Sequence, residues 1–159
     1  FAALKPKTSN MKKAFFSAVM LVAFTALSFA QADKITGVWI TASDSSSVEI
    51  VKHTNGKYIG NINWLMEPLD ENGKPKLDTN NPDPAKQSQQ ILGLKLLRSF
   101  EYNKKKDRWE NGKIYDPDNG KLYACYAWFE DGNDDVLYLK GYVMGMKFLG
   151  RETVWKRKK

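Results

Sequence analysis

The residues of this chain that could do chemistry are few. His53 is the single histidine, set in a Lys-His-Thr-Asn-Gly turn without a second ligand or an acid beside it, and it reads as a solvated turn residue. Cys125 is the single cysteine, so no internal disulfide can form, and its place in the run LYACYAWF makes it a buried small hydrophobe. There is no Gly-x-Ser-x-Gly elbow, phosphate-binding loop, His-Glu-x-x-His or paired-cysteine metal motif. No residue is therefore assigned a catalytic, metal or cofactor role. Asp78, Asn81, Asp83, Tyr115 and Asp116 form the one polar loop group. Their oxygens could hold a hard cation such as calcium, or act as an acid–base pair. The simpler reading is preferred: Asp83 caps a helix, and Asp116, ahead of Pro117, starts a turn.

Aromatic side chains are the stronger signal. After residue 32 the chain holds five Trp, seven Tyr and three Phe, so twelve of fifteen rings carry a polar handle. Such rings line cavities that combine apolar contact with a few oriented hydrogen bonds. Tyr58, Trp64, Tyr123, Tyr126, Trp128, Tyr138 and Tyr142 are the candidates for a ligand-binding interior. The competing reading is that they pack a small β core.

The elements that would position these groups are marked by turn signals at Asn55-Gly56, Asn72-Gly73, Asn111-Gly112, Asn119-Gly120 and Asp131-Gly132. Between them lie strand-like runs at 37–42, 47–53, 57–65, 94–102, 108–115, 121–130, 136–143 and 147–156. In the third, Tyr58, Gly60, Ile62 and Trp64 share one face. About eight strands joined by short loops predict an all-β, antiparallel up-and-down barrel. The 66–93 segment breaks this rhythm and is expected to cover one mouth; within it Asp83, Pro84 and Gly93 predict a short helix over 84–92. Lys104, Lys105 and Lys106 read as a solvated hairpin tip.

The N-terminal part reads as an export signal. Met11 is taken as the start, with Lys12 and Lys13 as the basic region, an uncharged apolar run over 14–29, and Ala30-Gln31-Ala32 ahead of a cut before Asp33. The run is short of the ~20 residues a spanning helix needs, so no stable membrane span is expected after cleavage. Residues 1–10 read as an upstream, non-native leader, and 33–159 as a single domain. The formal charge is +7, but Lys5, Lys7, Lys12 and Lys13 lie before residue 33, where there is no acid. That leaves 21 bases against 18 acids, a balance that gives no support to nucleic-acid binding. The expected location is periplasmic or secreted.

Gly37-x-Trp39 opens the first strand, and Arg151, Trp155 and Arg157 lie in the last. A Trp and a cation meeting across the seam would close a barrel through a cation–π contact. This pattern resembles the closure of lipocalins, fatty-acid-binding proteins and avidins. Further blocks are Tyr58-x-Gly60-x-Ile62, Asp78-x-x-Asn81-Pro82-Asp83-Pro84, Leu92-Gly93-Leu94, Trp109-x-x-Gly112-x-Ile114-Tyr115-Asp116-Pro117-x-x-Gly120-Lys121-x-Tyr123, Leu139-x-Gly141-Tyr142 and Leu149-Gly150-Arg151-x-x-x-Trp155-x-Arg157. On these the chain resembles the exported bacterial family called domain of unknown function 2147. The resemblance implies a lipocalin-like, calycin-type barrel and export, and assigns no activity.

Three functional readings follow. The leading one is an exported module binding a small, partly apolar ligand in the barrel. The second is a structural or stress-related envelope protein that meets a partner, of a kind the sequence does not name, through its surface. The third is an acid-based or metal-dependent enzyme using Asp78, Asp83, Asp116 and Arg151, which would require those side chains to converge on one cleft.

Overall fold

Eight antiparallel strands follow one another around a closed barrel: β1 (Gly37–Ile40), β2 (Ser46–Lys52), β3 (Tyr58–Leu65), β4 (Lys95–Asn103), β5 (Arg108–Asp116), β6 (Lys121–Phe129), β7 (Val136–Tyr142) and β8 (Arg151–Arg157). This computed structural model describes residues 31–159. The readings made for the leader, and nearly all of the signal sequence, lie outside the described residues. Among those residues no helix is long and apolar enough to cross a membrane, which has no bearing on strands.

Turn chemistry sets the hairpins. Gly56, Gly120 and Gly132 all sit at positive φ, as Asn-Gly and Asp-Gly reversals require. Asn111-Gly112 is different from the expectation: it lies inside β5, where Asn111 (φ 59°) forms a bulge rather than a reversal. Gly112 is needed there because a Cβ would overlap the ring of Phe100 on β4.

Each strand alternates between core and exterior. Val48, Ile50, Tyr58, Phe100, Trp109, Cys125, Ala127, Leu137, Leu139 and Trp155 are buried on the inner face. Burial pushes the Cys125 thiol up to about 12, so it stays protonated and inert. One half of the interior is solid. Trp39, Trp109 and Phe129 meet there at centroid distances of 5.8 and 5.3 Å, and Tyr102 adds a ring 5.1 Å from Trp109.

The same end carries the seam. β1 and β8 are joined at Trp39–Arg157 and Ile40–Lys156. The Arg157 guanidinium lies 4.2 Å from the Trp39 ring centre. It also donates from Nη1 to the Thr36 carbonyl (2.9 Å), and from Nε and Nη2 to that of Asp134 (3.1 and 3.0 Å). Gly37 leaves room for it, since a Cβ would come within 2.8 Å of Nη1. The expected closing pair is thus Trp39 with Arg157. Arg151, six residues earlier on the same face of β8, is about 20 Å away along the strand and belongs to the opposite end. Trp155 is core.

The 66–93 segment is ordered mostly by pairing rather than as a helix. Only Pro84–Lys86 forms a single 3-10 turn, capped by Asp83 as expected. Leu77 pairs with Gln90, Asp78 N–H donates to Gln89 O and Ile91 N–H to Lys76 O. These bonds claim the backbone that a helix to residue 92 would have used.

Candidate functional site

The end of the barrel opposite the aromatic plug is open. There β1, β3, β5 and β7 end, and four connections meet: 41–45, 66–94, 117–120 and 143–150. Between them lies a cavity of about 1410 Å³, running from the interior to the underside of the 66–93 segment. Its floor is apolar: Ile114 on β5 is half-buried there, above the buried side chains of Ile62 on β3, Leu139 on β7 and Trp155 on β8. Gly141 keeps it open, for a Cβ there would already touch Ile114 (3.4 Å) and come within 3.9 Å of Tyr123. The rim is polar, with Thr41, Thr153, Tyr123, Lys76, Asp70, Asp116 and Arg151. Arg151 follows the inward phase of Trp155 and Thr153, opposite Gly141. Its guanidinium makes no hydrogen bond or ion pair with other described side chains.

Of the seven aromatic candidates, Tyr123 lies on this wall, its hydroxyl accepting from Asn119 Nδ2 at 3.2 Å. Tyr58 faces inward but sits in the packed half, paired with Phe100 and fully buried. The other four tyrosine and tryptophan residues of β6 and β7 are outside. Cys125 and Ala127 take the inner face, so Tyr126 and Trp128 must point outward, and Tyr138 and Tyr142 join them across the pair. Trp128 stacks on Tyr138 (5.5 Å), Tyr126 contacts Trp128 (5.4 Å) and Tyr142 (6.1 Å), and Arg108 lies 4.6 Å over Tyr126. Of these, only Tyr142 reaches the cavity rim. Trp64 is also outside. The register skips Asn63, which accepts from Ser47 Oγ at 2.7 Å, and this bulge turns Trp64 into solvent beside Lys158.

The polar loop residues divide. Asp78, within the 66–93 segment, is fully buried and accepts from the Tyr115 hydroxyl (2.8 Å) and from Asn81 Nδ2 (2.6 Å). Burial, then the Asp78 carboxylate, pushes the Tyr115 hydroxyl up to about 12, which keeps it a donor. Asn81 Oδ1 accepts from Asp83 N–H, and Asn80 Nδ2 donates to the Pro117 and Asp118 carbonyls, so the segment is latched to the β5–β6 turn. Asp83 accepts from Ala85 N–H and Lys86, and Asp116 from Asp118 N–H and Asn119. Asp78 and Asp83 are not on the cavity wall, so the convergence an acid-based site would need with Asp116 and Arg151 does not occur. Among the described residues no group of three or more His, Cys, Asp and Glu is placed to hold a metal ion.

The sequence reading did not select Ile114, Leu139, Gly141 or Thr153. The available signal was the phase of β7, where Leu137, Leu139 and Gly141 alternate with polar or half-exposed residues and end on the one side chain too small to fill its position.

A family model described as "Uncharacterized protein conserved in bacteria (DUF2147)" matches residues 37–157. A solved structure described as "Protein HP1028 from the human pathogen Helicobacter pylori belongs to the lipocalin family" is similar at a TM-score of 0.63 and 23% identity. The match covers 79% of this chain and 83% of that one. At that identity the likeness concerns the fold. No curated protein matches the chain.

Proposed function

The chain belongs to that bacterial family, DUF2147, and from this premise we propose that it is an exported binding module taking a small, partly apolar ligand at the open mouth of its barrel. One observation carries the reading. An eight-stranded barrel is just wide enough for its side chains to fill; here the Trp39–Trp109–Phe129 end is filled, while Ile114, Tyr123, Gly141 and Thr153 keep exposed surface around an open mouth. The lipocalin fold of the similar structure supports the same reading.

The chemistry of the wall defines the ligand. Its apolar part belongs against Ile114 and the Tyr123 ring, and its polar end at Thr41, Thr153 and Arg151. An unpaired guanidinium at the rim favours an anionic end, which it can meet through two parallel hydrogen bonds. Export rests on the basic, apolar and small-residue pattern of 11–32. Solvent extraction and native mass spectrometry of purified 33–159 test the proposal: a bound small molecule is expected, lost in Gly141→Leu, whose side chain would occupy the mouth. Retention of the molecule by that variant would contradict it.

A further inference from the structure

We propose that the 143–150 loop docks the barrel on a lipid bilayer bearing anionic headgroups. This loop joins β7 to β8 at the open mouth and reads VMGMKFLG. Phe148, Met144 and Leu149 are 79%, 77% and 69% exposed, and Val143 and Met146 add to the patch. Large apolar side chains grouped in this way on a small domain mark a contact surface. The one charge within the loop is Lys147; Arg151 and Glu152 follow together at the start of β8 and offset each other.

An apolar tip carrying a cation matches the layered chemistry of a membrane surface. The tip enters the headgroup–acyl boundary while Lys147 meets phosphates. A protein partner fits less well, because one loop of five such side chains offers less than the roughly 800 Å² per partner of a stable interface. Across the mouth, Glu67 and Asp70 hold the opposite rim away from an anionic surface, while Asp116 and Asp118 in the neighbouring β5–β6 turn and Glu152 on β8 confine the contact to the loop tip. Val143 and Leu149 also line the cavity, so the bilayer contact opens directly into the binding space. The proposal stands on the loop alone and does not require the ligand-binding reading.

The test is co-sedimentation with phosphatidylcholine vesicles, with and without phosphatidylglycerol. It uses residues 33–159, within which the barrel closes on itself, because the apolar 14–29 run would bind lipid by itself. Binding is expected to be stronger on the mixed vesicles and to weaken with salt. A Met144→Ser, Phe148→Ser double variant should bind at least tenfold less, with near-UV circular dichroism and melting unchanged because both side chains are exposed. Lys147→Gln should reduce the preference for anionic vesicles. Absence of binding to either vesicle, or equal binding by the double variant, would overturn the proposal. So would self-association in light scattering that the double variant abolishes when no vesicle binding is seen, which would assign the loop to a second copy of the chain.

Discussion

Replacing Arg157 with alanine should loosen the barrel at its seam. The side chain is about a quarter exposed and serves the Trp39 ring, the carbonyls of Thr36 and Asp134, and the Asp135 carboxylate 3.4 Å from its Nε. A hydrogen bond from a charged donor contributes about 1.5–3 kcal/mol, and a shielded cation–π contact about 1–2 kcal/mol. These do not add in full, because water reaches the freed Asp134 carbonyl and one side chain makes all the contacts. A loss of about 3 kcal/mol follows, or a fall in Tm of roughly 10 °C for a domain of this size. Arg157→Lys should recover less than half, since an ammonium cannot stack on the ring and reach both carbonyls. Lys158→Ala is the control: its amino group lies 5.7 Å from the exposed Trp64 ring, and its removal should cost under about 0.5 kcal/mol. Urea unfolding followed by tryptophan fluorescence measures all three. A cost below about 1 kcal/mol for Arg157→Ala, or full rescue by lysine, would refute the assignment of the seam.

Other perturbations probe the latch, the core and the charged edge. Tyr115→Phe removes a donor from the buried Asp78 carboxylate and should cost about 1–3 kcal/mol. It should also speed hydrogen exchange at the Asp78 and Ile91 amides, and unchanged exchange there would mean that the segment is held by other contacts. Gly112→Ala should cost about 1–3 kcal/mol, because the new methyl group overlaps Phe100 and a packed core yields poorly. Urea midpoints comparable to the parent would contradict this. Burial raises the Glu110 pKa, but hydrogen bonds from Lys106, Arg108 and Asn103 outweigh it and lower the group from 4.5 to about 2. Its stabilisation is therefore present above pH 4.5 and lost as pH falls towards 2, so Glu110→Gln should flatten the acid limb of the stability profile over that window.

Much of the fold was legible because hairpin signals are local. Asn55-Gly56, Asn119-Gly120 and Asp131-Gly132 carry their own backbone preference, and the runs between them match the strands to within a residue or two except at the last. Gly37-x-Trp39 and Arg157 marked the seam because a cation and a ring at the two chain ends have few other reasons to meet. Facing was harder to read. In β6 both faces are apolar or aromatic, so the sequence does not say that Ala127 and Cys125 are inside while Tyr126 and Trp128 are out. The bulge at Asn63 reverses Trp64 through a register shift that only the partner strand imposes. The helix expected over 84–92 gave way to pairing with residues 76–78, a tertiary choice that Asp83 and Pro84 do not encode. The exposed 143–149 stretch was read partly as strand because apolar residues signal burial, and only the barrel's geometry places them at an open rim.

The proposed ligand lies partly against the apolar mouth with its anionic end at Arg151. Fluorescence titration of residues 33–159 with dansyl-labelled undecanoic acid in solution measures this contact. Saturable, single-site binding is expected, abolished by Gly141→Leu and weakened about tenfold by Arg151→Gln, about what losing one charge-assisted contact would bring. Equal binding by both variants, or none by the parent, would contradict it.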